Sequence, residues 1–291
     1  SRRTVEEVKK DIDNMEKEYA SYKGMIRSAF LQDADSLVLK TSDILEIINY
    51  TKGKFPGLDR ITTYARATTL KRKSVEELKE LYSAGLTRIH VGMESGSANV
   101  LKMIRKGITP EDIVEGGKKV VEAGMSLSEY IMPGVGGKTM SSENAIETAR
   151  LLNQIKPDFI RVRTFAMHPK SPMRKLVESG TFVTMNDIEI VEEIRLLVAN
   201  LDEMHTYFSC GDFSLNLLMQ VDGYLDEKKP YILSELDKFL SLTPDQQKIY
   251  ALLRRSSYMQ YPIEAVQNEE VMKKILPEIE KLERDDPDGF H

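Results

Sequence analysis

The chain has 291 residues, 41% of them hydrophobic, enough to bury a sizeable core. Its 41 Lys and Arg and 46 Asp and Glu are spread along the length, for a net charge of -5 and no basic stripe of the kind that tracks a phosphate backbone, so nucleic acid is not favoured as a partner. The single cysteine, Cys210, excludes an intrachain disulfide framework, and no run reaches the roughly 18 apolar residues of a membrane span, so the expectation is a soluble, cytoplasmic protein with no membrane partner.

Read in order, the sequence repeats one unit of apolar strand, polar loop and capped helix. A helix is expected at 4–20, opened by Thr4-Val-Glu-Glu7, then a strand at 25–32 (MIRSAFLQ), a helix at 42–53 and a strand at 59–66 (DRITTYAR). Next come a helix at 74–84 opened by Ser74-Val-Glu-Glu77, a strand at 86–92 (LTRIHVG) and a helix at 109–123 opened by Thr109-Pro-Glu-Asp112. In these openings the hydroxyl accepts from an otherwise unbonded backbone N–H, and the acid favours the positive end of the helix. A strand at 126–132, a helix at 141–155, a strand at 158–165, a helix at 187–203 and a strand at 205–210 complete the alternation. Ser42, Ser74, Thr109 and Ser142 are 32, 35 and 33 residues apart, the length of one βα unit.

Such alternation requires parallel strands joined by right-handed crossovers. Six repeats favour an α/β fold of the partial (βα)6, TIM-like barrel type over residues 1–210. Residues 211–291 carry no strand signal and read as a helical C-terminal extension, with helices near 213–224, 230–240, 243–259 and 267–283. Because the first element is a helix, the strand that feeds it is expected upstream of Ser1.

In parallel α/β sheets ligands bind at the carboxyl ends of the strands. After the first strand stand Gln32, Asp33 and Asp35, whose two carboxylates suit an ammonium group or a hard cation, or else an Asx turn leading into the next helix. After the second come Tyr64 and Arg66, one of which faces inward to meet substrate or to close the fold. The third ends in Gly92-Met-Glu94-Ser95-Gly96-Ser, where a carboxylate among glycines suits a ribose diol or an amine; the alternative is an ion pair with a neighbouring cation. The fourth carries Glu129 and ends in Met132-Pro-Gly134-Val-Gly136-Gly-Lys-Thr, whose spacing is not that of a phosphate loop. On the fifth, Arg161 and Arg163 share a face and could hold an anion or pair with Glu94, Glu129 or Asp33. Tyr64, Arg66 and Glu129 are the candidates for substrate contact.

Other chemistries find less support. His90, His168 and His205 have no metal-ligand spacing, and Cys210 stands alone. The chain holds no nucleophile elbow and no H-E-x-x-H. A conventional barrel lyase working through a Schiff base would need a lysine at a strand end, where none stands, and a non-catalytic barrel serving as a binding or scaffold module is the other alternative.

The succession FLQDADSL, HVGMESGSANVLKMIRKGITPEDIVEGGKKVVEAGM, EYIMPGVGGKT and FIRVRTFAMHPKSPM, spread over residues 1–175, resembles the radical S-adenosylmethionine superfamily, in particular the core shared by Elp3-like, MiaB-like and NifB-like proteins. The resemblance implies two cofactors, S-adenosylmethionine and a [4Fe-4S] cluster held by a C-x-x-x-C-x-x-C loop after the first strand. No such loop is present, so the cluster cysteines are expected upstream of Ser1, with the quoted chain a truncated form that is inactive by itself. By the same resemblance Gln32, Asp33 and Asp35 meet the methionyl amino group, Glu94, Ser95 and Gly96 the ribose, and Met132, Gly134 and Gly136 the adenine, while Arg161 or Arg163 approaches the cofactor from its strand. The implied activity is reductive cleavage of S-adenosylmethionine to a 5'-deoxyadenosyl radical that takes hydrogen from a small-molecule or peptide substrate, with electrons from a flavodoxin or ferredoxin.

Overall fold

A computed structural model of the chain describes residues 3–32, 35–212, 214–257 and 262–285. The elements run α1 (Val5–Glu18), β1 (Ser28–Leu31), α2 (Thr41–Lys54), β2 (Arg60–Ala65), α3 (Ala67–Arg72), α4 (Val75–Ala84), β3 (Leu86–Glu94), α5 (Ala98–Met103), α6 (Pro110–Glu122) and β4 (Ser126–Ile131). They continue with α7 (Gly137–Ile155), β5 (Phe159–Val162), α8 (Arg174–Glu178), α9 (Asp187–Asn200), β6 (Tyr207–Ser209), β7 (Gly223–Tyr224), α10 (Leu225–Leu240), α11 (Pro244–Ser257) and α12 (Glu269–Asp285). Among the described residues the strands follow one another in sequence order through a seven-stranded sheet. β1 with β2, β2 with β3 and β5 with β6 pair parallel, and β7 runs antiparallel to its neighbour, β6. The expected α/β alternation is therefore present, as is a helical C-terminal region.

The chain forms two compact units. One comprises Ser1–Met93 with Ile108–Glu129, the other Glu94–Gly107 with Tyr130–His291. In the first, all three expected capping boxes form, at Thr4 with Glu7, Ser74 with Glu77 and Thr109 with Asp112, each with both reciprocal bonds. The strands bury Ile61, Leu86 and Ile89, and the helices supply Ile44, Ile48, Leu70, Leu78 and Leu81, all at most 1% exposed. At burial of this kind each such side chain contributes about 1.5–3 kcal/mol. α1 packs on α2 through Ile12, Ile47 and Phe55.

The second unit buries Leu151 and Leu152 of α7, Ile160 of β5, Val198 of α9, Phe208 of β6 and Phe239 of α10. α9 starts at a capping box that the sequence reading passed over, Asn186 with Glu189.

Several expected elements differ. The helix expected over 213–224 does not form among the described residues: 214–222 are irregular and lead into strand β7, so the region after 210 does contain a strand, while residue 213 lies outside the described residues. Asp212 explains part of this, because its carboxylate accepts from both Ser214 N and Ser214 Oγ, local bonds that compete with a helical turn. α10 begins at Leu225 rather than 230 and runs through Pro230, whereas the helix expected at 267–283 forms as α12, two residues later and preceded by a short 3-10 turn (Ile263–Gln267). Ser42 lies inside α2, which is capped at Lys40, and α7 begins at Gly137 rather than 141.

Candidate functional site

In the first unit the carboxyl ends of β1 and β2 are joined by Asp35. Its Oδ1 accepts from Arg66 N at 3.3 Å and its Oδ2 from Thr69 Oγ1 at 2.5 Å, so this carboxylate secures the entry to α3 rather than standing open. Gln32 is exposed, and Asp33 lies outside the described residues. Arg66 is exposed. Tyr64 belongs to an aromatic group with Phe30 and His90 on neighbouring strands, at centroid distances of 4.9 Å to Phe30 and 5.7 Å to His90. The parallel register dictates this, since Tyr64 lies beside His90 and successive side chains alternate faces. Glu129 is fully buried and two residues from buried Leu127 and Ile131, which puts it on their strand face, whereas Ser126 on the other face accepts from Arg88 Nε. Glu129 and Tyr64 are thus not brought together by strand alternation.

The second unit gathers the other candidates. Glu94 closes β3 with φ of 63°, a left-handed conformation that ordinary residues avoid, at about 1–2 kcal/mol. Two bonds hold it there. Its carbonyl accepts from Met132 N at 2.8 Å, which ties the end of β3 to the loop after β4, and its Oε1 pairs with Lys106 Nζ at 2.7 Å. Lys106 arrives because α5 ends in a second left-handed residue, Arg105, that turns the chain back. The neighbours of Glu94 serve packing: Ser95 is buried with Oγ accepting from Ser97 N, and Gly96 donates to Thr148 Oγ1 at 2.8 Å.

The glycine loop is bonded down along its length. Phe165 N donates to Pro133 O at 2.8 Å, Gly137 N to Gly134 O at 3.0 Å, and Gly134 N to Glu193 Oε1 at 3.0 Å. Gly134 needs to be glycine, with φ of 85° and space that a Cβ would share with Ile190 at 3.4 Å. Met132 is partly exposed and Gly134 and Gly136 are buried. Arg161 lies over the Phe159 ring at 5.4 Å; Arg163, exposed, bonds Asp212 Oδ2 through Nε at 3.1 Å and lies 5.9 Å over Tyr130. The carboxylate of Glu94 pairs with Lys106, and Arg163 pairs with an aspartate that the sequence reading did not consider.

Two residues of this unit escaped the sequence reading. Asn216, 1% exposed, spends both ends of its amide joining β5 to the segment after β6. Glu193 on α9 is 3% exposed and accepts from Gly134 N and from Asn144 Nδ2 at 2.7 Å. Its signal was an acid set in the apolar stripe Ile190, Ile194, Leu197 of a helix. Burial pushes the Glu193 carboxyl up from its ordinary 4.5, with Ser141, Asn144 and the Gly134 amide pulling the other way. Above pH 4.5 the unfolded chain therefore loses this proton while the folded protein keeps it, so stability falls as pH rises through that window. Glu193→Gln has no proton to lose. Its melting temperature should gain on wild type steadily from pH 4.5 upward, and parallel profiles would rule the idea out. Cys210 is buried, its thiol pushed well up by desolvation and by Asp222, whose carboxylate accepts from the Cys210 amide.

Among the described residues no group of three or more His, Cys, Asp or Glu could hold a metal ion, and no helix is long and apolar enough to cross a membrane. Compared with known proteins, the tRNA uridine(34) acetyltransferases of Methanocaldococcus infernus and Methanocaldococcus jannaschii are each 21% identical, over 122 and 120 residues, or 42% and 41% of this chain. The chain spans only 23% and 22% of those proteins' lengths. Among solved structures, archaeal Methanocaldococcus infernus Elp3 with its N-terminal residues 1–46 deleted matches with a TM-score of 0.50 at 15% identity, over 62% of this chain and 46% of that one, a likeness of fold. The strand-end sequence that carries Glu94 and the glycine loop falls within residues 1–152, which match the Radical SAM superfamily, and with more than half of its 291 residues covered the chain belongs to that superfamily.

Proposed function

We propose that this chain is the S-adenosylmethionine-binding core of an enzyme of the superfamily's radical type. The observation that carries the reading is the Met132 N to Glu94 O bond of 2.8 Å, which holds the backbone of the strand-end acid Glu94 to a glycine loop secured by its own hydrogen bonds. That donor set fits an adenosine: the carboxylate of Glu94 accepts from a ribose diol, and the base is assigned to the loop backbone at the partly exposed Met132, since the Cβ sides of Gly134 and Gly136 face Ile190 and Met140. Lys106 orients the carboxylate, and Met132, partly exposed, offers a soft apolar contact.

S-adenosylmethionine bound here would supply the chemistry of reductive cleavage to a 5'-deoxyadenosyl radical and hydrogen abstraction from substrate only with a [4Fe-4S] cluster and a flavodoxin- or ferredoxin-type electron donor supplied to it. The described residues do not fit the [4Fe-4S] cluster, since they offer no metal-binding group and the one thiol is buried. The cluster is therefore no part of what these residues do. A net charge of -5 favours a small-molecule or peptide substrate over the tRNA named for the two relatives. The Phe30, Tyr64 and His90 rings of the first unit are the groups we assign to it.

The test is calorimetric titration with S-adenosylhomocysteine, which carries the adenosine without calling on the cluster. Wild type should bind, and Glu94→Gln should bind about tenfold or more weakly, the effect of removing a charge-assisted hydrogen bond. No heat with wild type, or equal affinity in the variant, would refute the reading.

A further inference from the structure

Helix α9 touches the glycine loop at three points on one face. Glu193 Oε1 accepts from Gly134 N at 3.0 Å, Ile190 bounds the space beside Gly134, and Glu189 Oε1 pairs with Lys138 Nζ at 2.6 Å just beyond the loop. Positions 189, 190 and 193 fall on one side of a helix by its 3.6-residue turn. Asn144 of α7 completes a bracket, donating to Glu193 Oε1 at 2.7 Å and lying 3.5 Å from Met132 O. A carboxyl group in a nearly closed apolar setting is retained against its desolvation only by such bonds. A leucine there would pack among Ile190, Ile194 and Leu197 at no such expense.

α9 is in turn held along its length by the C-terminal helices. Arg255 of α11 bonds Asp187 at the start of α9 through Nε at 3.1 Å, and Arg195 bonds Asp237 of α10 at 2.7 Å. Lys229 of α10 reaches the carbonyl of Leu201 just past the end of α9. The loop, α9 and the C-terminal helices thus form one connected path inside a single compact unit.

We propose that Glu193 is the positioning residue of the cofactor loop: it holds Met132 to Gly137 in the form that receives the adenine ring, and through α9 it gives the C-terminal helices their bearing on cofactor affinity. The loop part stands on the hydrogen bonds above, and the adenine part rests on the reading of the function just given. Glu193 touches no cofactor atom in this scheme. It acts through the Gly134 amide and through Asn144, so glutamine, whose side-chain oxygen accepts the same two bonds, should replace it, and alanine should not.

Two measurements on the full chain decide this. Hydrogen exchange by mass spectrometry reads the backbone protection of the loop, and calorimetry reads S-adenosylhomocysteine affinity. Glu193→Ala should speed exchange in the loop peptide and weaken binding about tenfold or more, while Glu193→Gln stays within about threefold of wild type on both counts. Arg195→Ala should weaken binding less, with faster exchange in α9. Should Glu193→Ala not fold, Asn144→Leu removes one leg of the bracket and reads the same pair. A loop as protected as wild type's in the alanine variant, or a glutamine variant as impaired as the alanine one, would overturn the proposal. If wild type itself binds no S-adenosylhomocysteine, the functional reading and the adenine role fall together, and the exchange data still report whether Glu193 holds the loop.

Discussion

Replacing Asn216 with alanine is expected to lower the stability of the chain by about 3–4 kcal/mol, the largest effect of any single polar substitution considered. Its Oδ1 accepts from Thr164 N at 3.1 Å and Thr164 Oγ1 at 3.0 Å, and its Nδ2 donates to Val162 O and Cys210 O, each at 2.8 Å. β5 ends at Val162 and β6 at Ser209, so beyond those residues one buried side chain does the work of a ladder. Alanine would strand four polar groups in a site only 1% exposed, and an unsatisfied buried group costs about 1–3 kcal/mol. Urea denaturation monitored by circular dichroism reads the difference. Asn216→Asp, which keeps the acceptor and loses the donors, should fall between the two. A loss below about 1 kcal/mol in the alanine variant would mean that the segment after β6 finds other partners.

The second large effect is steric. A Cβ on Gly96 would lie 2.4 Å from Glu147 O, 2.6 Å from Glu147 C and 2.6 Å from Thr148 Cα. All three are backbone atoms of α7, which cannot swing aside as a side chain can, so Gly96→Ala must part the chain from the helix. It also disturbs the Gly96 N to Thr148 Oγ1 bond. Destabilisation of about 3 kcal/mol or more is expected, at the upper end of overpacking effects. Gly24→Ala supplies the control, since nothing lies within 4 Å of its Cβ, and it should stay within about 0.5 kcal/mol of wild type. Equal melting temperatures for the two variants would contradict the close approach.

These positions show what the amino-acid order could reveal. The capping boxes at Thr4, Ser74 and Thr109 were legible because each is a local pattern with its own reciprocal bonds, independent of the rest of the fold. Alternation of strand and helix was legible for the same reason, and it placed Glu94 at a strand end. α3 and α5, six residues each, are too short to show a helical period and were passed over. Leu215, Leu217, Leu218 and Val221 imitated a helical stripe over 213–224, where the bonds of Asp212 and Asn216 with surrounding backbone prevail. Gly96, read for its backbone freedom near a ligand, is required by the helix behind it. Glu193 and Asn216 lay furthest from view because their partners stand about 50 to 60 residues away in the chain, and no local rule connects such residues.

The enclosed sulfur atom at position 210 has a practical consequence. As the chain's sole thiol, shut away and disinclined to ionise, it will be slow towards maleimides and other alkylating probes. A cysteine introduced on an outer helix turn could accordingly carry a fluorophore or spin label with little competing background, which opens this protein to distance measurements without first removing a native residue.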